Sequence, residues 1–559
     1  MLPKTKGFWI LLATILGSSM AFIDGSVVNV ALPRLQTDLN ATAASVQWVV
    51  EAYALFLGSL ILVGGSMGDL YGRKRLFAIG ITIFALASLW CGLTTDITQL
   101  VIARAVQGVG GALLTPESLA ILRASFDASQ RGKAIGLWSG FSAITSALGP
   151  VLGGWLVQYA SWRWVFFINL PLAAIVLVVL FIFVPESRSE QANRHLDIVG
   201  ALLATLGLGL LVFGLIEASS YGITHPLVLG CVAGGVIALV AFIMVERRSP
   251  APMMPLQLFH SRVFSGTNLL TFFLYAALGA TLYFLPFNLI RVQGYSPTAA
   301  GSALLPFTLL MFSLSRWSGG LVARYGARLP LVIGPCIAGI GYILFAIPGI
   351  GGSYWTTYFP AVLFLGLGMS ITVAPLTTAV MGAVTDQYAG TASGVNNAVA
   401  RIANLLAIAV FTLIVLAVFN AALDQNLAAH HVSSAASHAL DTQRSKLTGA
   451  EVPASFDPAT RQLLQQDISN SFLFGFRVAM LLGSALAFIS ALCSAITIPP
   501  RYGKLVPVQA KQERKELEPP EQGKKKERQC SDNACTLMYA HSDVDSPQRV
   551  DGSATKADD

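Results

Sequence analysis

Residues 64–80 read GGSMGDLYGRKRLFAIG, and residues 318–334 read SGGLVARYGARLPLVIG. The two stretches align without a gap and share Gly65/Gly319, Tyr71/Tyr325, Gly72/Gly326 and Gly80/Gly334. Each closes one apolar run and opens the next across a short basic loop: 46–66 into 76–94, and 299–323 into 329–348. A helix of about 20 apolar residues crosses the ~30 Å hydrocarbon core of a bilayer, so each copy reads as a two-span hairpin. Related hairpins far apart in one chain point to internal duplication, as in transporters that alternate access between two halves. The competing explanation is that loops between spans favour Gly and Arg in any case.

Outward from these hairpins the pattern barely pauses. Further runs of crossing length lie near 8–32, 98–122, 134–158, 164–184, 198–218, 226–245, 262–288, 357–381, 393–420 and 472–498. Of 559 residues, 54% are apolar and 12% charged, about half the charge of a soluble domain. The expected fold is an all-α polytopic membrane protein with about 14 transmembrane spans. Two segments are read as lying outside the membrane: a long, partly helical outer loop at 421–471 and a polar, disordered tail at 500–559.

The net charge of +7 follows from topology. With the N-terminus in the cytosol, cytoplasmic loops hold Arg73, Lys74, Arg75, Arg123, Arg131, Lys133, Arg188, Arg194, Arg247, Arg248, Arg324 and Arg328. Outer loops hold only Arg34, Arg163 and Arg291. That asymmetry places both termini in the cytoplasm of a cell whose inner membrane the chain spans. No basic helix interleaved with stacking aromatics appears, which argues against nucleic acid. Cys91, Cys231, Cys336 and Cys493 sit in apolar runs as small hydrophobes. Lys4 and Lys6 precede a long apolar run with no small-residue cleavage site, so it is read as a retained first span.

A charge at the bilayer centre costs at least ~2.5–3.5 kcal/mol, which makes every intramembrane charge a functional candidate. Asp24 lies sixteen residues along the first span, roughly 24 Å from its cytoplasmic end. Arg104 enters the fourth span from outside, so the two share a depth and are expected to face one cavity. Asp24 is read as a site for a proton and a cationic group, against a purely structural hydrogen-bonding role. Glu117 follows Pro116 in the inner part of the fourth span and is a second site for proton or substrate. Glu51 is placed near a hydrated outer mouth, and Glu217 at an interface. Asn397, Arg401 and Asn404 share one helical face and are expected to line a substrate path, with Asn396 beside them. In the fifth span Gly149, Pro150, Gly153 and Gly154 belong to a small-residue stripe that permits close helix contact. Gly65, Asp69, Gly72 and Arg73 form a loop whose charge contact can hold one conformation and break in another; a loop that merely fixes topology is the alternative.

That loop resembles the signature between the second and third spans of the major facilitator superfamily. Four more segments resemble its fourteen-span drug:proton antiporter family: FIDGSVVNVALP (22–33), RAVQGVGGALLTPES (104–118), TSALGPVLGGWL (145–156) and WRWVFFINLP (162–171). The resemblance covers essentially the whole membrane part. It implies two six-helix halves, 1–184 and 262–499, with two linker helices inserted at 185–261. It also implies that Asp24 carries protons, that Arg104 takes part in their coupling, and that the glycines of 145–156 go with exporters. The implied function is proton-coupled efflux of small amphipathic or cationic compounds. Export of one specific metabolite, or a transporter-like sensor, is the alternative. Partners would be the small-molecule substrate, protons and lipid, with a periplasmic adaptor left open. No Walker loop is present and all seven histidines lie in or beside loops, so no cofactor, metal or enzymatic activity is expected.

Overall fold

The computed structural model describes residues 4–188, 197–249, 252–385, 388–432, 434–441, 443–450, 452–453, 455–500 and 502. Each crossing-length run is helical, and no strand occurs among the described residues. The helices are α1 (Lys4–Asp38), α2 (Ala43–Tyr71), α3 (Arg73–Leu93), α4 (Ile97–Ser125), α5 (Ala128–Tyr159) and α6 (Trp164–Phe183). They continue with α7 (Ile198–Tyr221), α8 (Pro226–Arg248), α9 (Arg262–Val292) and α10 (Leu305–Tyr325, led in by a short helix Pro297–Ser302). The last four are α11 (Arg328–Ala346), α12 (Phe359–Gly382), α13 (Ala389–Ala429) and α14 (Pro458–Thr497). Thirteen of these are long and apolar enough to cross a membrane; α5, the Gly- and Ser-rich one, spans 32 residues. The chain is a multi-pass membrane protein.

Lipid gives helices no hydrophobic reason to associate, so close backbone contact has to hold them together. The contacts are built on glycine. A Cβ on Gly110 of α4 would lie 2.6 Å from the backbone nitrogen of Phe84 in α3, and one on Gly80 would lie 2.7 Å from that of Leu114. The α11–α12 contact repeats the device, with Gly334 against the Gly368 carbonyl and Gly341 against the nitrogen of Leu365. Gly80 and Gly334 are equivalent positions in the sequence repeat. So are Gly72 (φ 114°) and Gly326 (φ 81°), each of which turns the chain between two helices in a conformation that side chains disfavour. The repeat in the sequence is therefore a repeat in backbone geometry.

α1 lies among α4, α5 and α6, and α13 touches α2, α7, α9 and α14. α7 and α8 pack on each other, with α7 resting on α2 and α13. At one end of the bundle lie the Arg73–Arg75 turn and the start of α13; this is called the basic end below. The opposite, cap end is sealed. Arg291 Nη2 donates to the Pro33 carbonyl and, at 2.7 Å, to Thr37 Oγ1. Gln36 Nε2 donates to the Lys446 carbonyl at 2.9 Å, and Lys446 Nζ donates to Asn40 Oδ1.

The stretch 421–471, expected to be partly helical, is helical over more of its length than its apolar flanks suggest. α13 runs on to Ala429 and α14 starts at Pro458, so most of that polar stretch extends the two helices. A short helix Ser434–Asp441 and a turn at Arg444–Gly449 fill the gap. Arg444 Nη2 binds Asp424 at 2.6 Å and Asp441 at 2.8 Å. Apolar counting missed this because a helix continues in water when its polar surface faces outward. The tail beyond residue 502 lies outside the described residues.

Overpacking at a backbone contact costs about 1–3 kcal/mol. Gly110→Ala is expected to lower the melting temperature of the purified protein, whereas Gly136→Ala, where a Cβ meets nothing within 4 Å, should leave it unchanged or raised. Equal melting of the two variants would contradict the role given to Gly110.

Candidate functional site

Three of the inner charges, Asp24, Arg104 and Glu117, lie on α1 and α4, which cross in contact. Asp24, twenty residues into α1, is fully buried, and Arg104 of α4 is 1% exposed. Arg104 Nη1 donates to Asp24 Oδ2 at 2.5 Å. The same guanidinium donates to Gln107 Oε1 at 2.7 Å and, through Nε, to the Val49 carbonyl at 2.9 Å. Gln107 Nε2 completes the ring by donating to Asp24 Oδ1 at 2.9 Å and to Ser88 Oγ at 2.7 Å. Asn169 Nδ2 of α6 reaches Ser88 Oγ at 3.2 Å and Asp24 Oδ1 at 3.4 Å. The Tyr53 ring lies 4.3 Å from the Arg104 guanidinium carbon, close enough for a cation–π contact. Five helices thus converge on one carboxylate.

Sequence reasoning paired Asp24 with Arg104 and missed Gln107, Asn169, Ser88 and Tyr53. Gln107 and Asn169 stand inside two of the quoted segments, RAVQG and INLP. Gln107 is one turn past Arg104 on the same helix face, a signal that was readable. Ser88 and Tyr53 belong to α3 and α2, and only tertiary packing brings them in. A second expectation is corrected. Asp24 and Arg104 meet, but neither lines the large cavity.

That cavity, about 1160 Å³, opens at the basic end. Its wall includes Phe22, Gly65, Asp69, Arg73, Thr115, Pro116, Trp138, Asn397 and Arg401. Asp69 and Arg73 pair across one helical step, with Arg73 Nη2 donating to Asp69 Oδ1 at 2.6 Å. Gly72 leaves room for the Glu186 carboxylate, which accepts from the backbone nitrogens of Lys74 (2.9 Å) and Arg75 (3.2 Å). Anion placement there suits the exposed amides that open α3. Glu117 is buried beside the cavity wall, and its carboxyl oxygens meet no donor among the described residues. Gly68 of α2 makes its space, since a Cβ there would overlap the carboxyl group.

The polar face of α13 divides. Asn397 and Arg401 line the cavity. Asn404 packs instead against Gly279 of α9, and Asn396 donates to Thr271 Oγ1 at 2.7 Å and Asn268 Oδ1 at 3.1 Å. A shared helical face therefore overstated the lining, because α9 covers part of it. Glu51 also differs from expectation: it is fully buried rather than hydrated at a mouth. Gly149, Gly153 and Gly154 seat α5 toward the cap end. The first two press on Ser26 and Val27 of α1, and Gly154 on the carbonyl of Pro297. The Pro150 carbonyl meets Gly301.

Residues 14–408 match the family model of the Major Facilitator Superfamily. The chain belongs to that superfamily. This major facilitator transporter is 35% identical over 427 residues to the multidrug resistance protein Stp of Mycobacterium tuberculosis, covering 75% of this chain and 77% of Stp. It is 32% identical over 495 residues to the tetracenomycin C resistance and export protein of Streptomyces glaucescens, covering 87% and 91%. Among solved structures it resembles a bacterial homologue of the human lysosomal transporter Spinster, with a TM-score of 0.61 at 17% identity, over 90% of this chain and 100% of that one. The POT family transporter PepTSo gives 0.61 at 13%, over 89% and 98%. These two establish the fold.

Breaking a buried pair by removing one partner costs about 3–5 kcal/mol, because the other charge stays behind. Arg104→Gln is expected to destabilise the transporter strongly. The double variant Asp24→Asn/Arg104→Gln should lose less than the sum of the two single losses. Thermal unfolding of the four proteins as a cycle checks this, and simple additivity would refute the coupling.

Proposed function

We propose that this major facilitator protein is a proton-driven exporter that removes small amphipathic compounds from the cytoplasm. The observation that carries the reading is the Asp24–Arg104 pair, a carboxylate and a guanidinium held in a membrane interior with neutral donors to the carboxylate from Gln107 of α4 and Asn169 of α6, and the Val49 carbonyl of α2 accepting from the guanidinium. The names of the relatives, one for multidrug resistance and one for resistance to and export of a single antibiotic, support efflux.

The mechanism follows from the geometry. A proton on Asp24 cancels its charge and removes the Coulombic part of its hold on Arg104. Arg104 keeps its bonds to the Val49 carbonyl and to Gln107, so the guanidinium stays on α2 and α4 while α1 is freed from it. α1 also carries the cap-end contacts to Arg291, Lys446 and α5. Protonation is thereby linked to the helix that closes one end. In this state the cavity opens at the basic end, which positive-inside reasoning assigns to the cytosol, so the structure corresponds to the state that loads its compound. Closing the basic end would bring the Asp69–Arg73 turn and the start of α13 together, and Glu117 beside that turn is a second candidate for proton or compound.

The arrangement proposed for the chain is fourteen spans, with α5 counted as one. Residues 1–184 and 262–499 form the two moving halves, and 185–261 contribute α7 and α8 between them. Both termini face the cytoplasm of a bacterial inner membrane. A periplasmic adaptor would have to engage the cap end. Export of one metabolite is the second reading, favoured by the single-compound name of the Streptomyces relative.

In inverted vesicles carrying an imposed pH gradient, adding amphipathic dyes should discharge the gradient with the wild type and not with Asp24→Asn. If both proteins discharge it equally, Asp24 is not the coupling site. If neither does for any dye, broad export gives way to a narrow substrate.

A further inference from the structure

Most charges that line the cavity are accounted for by the protein itself. Asp69 and Arg73 neutralise each other, Asp197 accepts from the Gly200 nitrogen at its helix start, and Glu246 accepts from the Met254 nitrogen. Arg123 and Arg247 lie in the last turns of their helices, at the basic end. Arg401 differs. It stands twelve residues into α13, about 18 Å up from the basic end, near the middle of a ~30 Å core. Its Cβ lies 3.4 Å from where a Cβ on Gly58 of α2 would be, so it sits where α13 crosses α2. No hydrogen bond or ion pair joins its guanidinium to any described residue.

An arginine cannot shed its proton to escape such a place, and its planar fork matches a carboxylate or similar oxyanion with two parallel bonds. An uncompensated guanidinium at mid-membrane depth is costly and calls for an anion to complete it. The same cavity wall carries Phe22 and Trp138, whose rings pack edge to face at 6.4 Å, and the side chain of Asn397 one turn from Arg401. Apolar aromatic walls with one unpaired, half-buried cation describe a pocket for an aromatic acid better than one for a cation.

We propose that Arg401 is the anion-binding subsite of the cavity and takes the carboxylate of an amphipathic aromatic compound. This deepens the export reading and rests on the cavity being where the compound binds. It also revises the expected preference: Asp24, the acid available to attract cations, is sealed from the cavity, whereas Arg401 lines it.

The test uses rhodamine B, which bears a free carboxylate, and its ethyl ester, which has the same rings without that charge. Binding of each is titrated by fluorescence anisotropy to the full chain in phosphatidylcholine nanodiscs, which hold no anionic lipid to compete. The wild type should prefer the acid. Arg401→Gln should weaken acid binding by about tenfold to a hundredfold, the usual worth of a charge-assisted contact, and shift the ester by less than about twofold. The ester thus reports whether the variant is folded. Should Arg401→Gln fail to fold, Arg401→Lys keeps the charge but not the fork, and an intermediate loss for the acid alone is expected. Equal weakening of both dyes, no weakening of either, or no preference in the wild type overturns the subsite. If the acid binds as stated but no pH gradient drives either dye across the membrane, the export reading fails and the subsite stands.

Discussion

Hydrocarbon offers no partner to a backbone amide, and nearly everything in this structure follows from that. Each crossing segment must close its own hydrogen bonds as a helix, which is why the described chain is helices and turns. It also removes the usual reason for helices to associate, so the contacts that order the bundle come from glycine. Gly80 on Gly110, Gly334 on Gly368 and Gly153 on Val27 are places where two backbones or a backbone and a side chain approach until no Cβ fits. The same scarcity of partners makes every charge inside the bundle conspicuous. Asp24 has its donors supplied from α4 and α6, and nothing comparable surrounds Arg401.

The two charged places divide the work that the sequence alone would have assigned to one cavity. Asp24 and Arg104 are closed off, wrapped by Gln107, Asn169 and the Tyr53 ring, and tied to the helix that seals the cap end. Arg401 and Asn397 look into open space at the other end. α2 touches both places: its Tyr53 ring lies on the Arg104 guanidinium, and its Gly58 faces the Arg401 side chain.

Much of this was legible beforehand, for reasons that can be named. Span positions follow from apolar length, which depends on the bilayer more than on neighbours. The Gly72/Gly326 correspondence was visible because a positive φ demands the same residue in both copies. The meeting of Asp24 with Arg104 was readable from matching depth along two helices. What depth cannot tell is azimuth. Whether Asn404 faces the cavity or α9, whether Glu51 is wet or buried, and whether Asp24 sees solvent all depend on rotation about helix axes, which apolar periodicity leaves weakly fixed in a helix surrounded by other helices and lipid. How far the helices run into 421–471 was not legible for a related reason: hydropathy marks where lipid ends, and a helix can continue past that point.

The cap seam carries a pharmacological meaning. Lys446 grips the α1–α2 turn through Asn40, and its own carbonyl is held by Gln36, all at the end assigned to the outside of the cell. A compound or antibody fragment wedged there would not have to cross the inner membrane that the chain is proposed to span. Because it would never enter the cavity, it would not be one of the molecules the protein is built to expel.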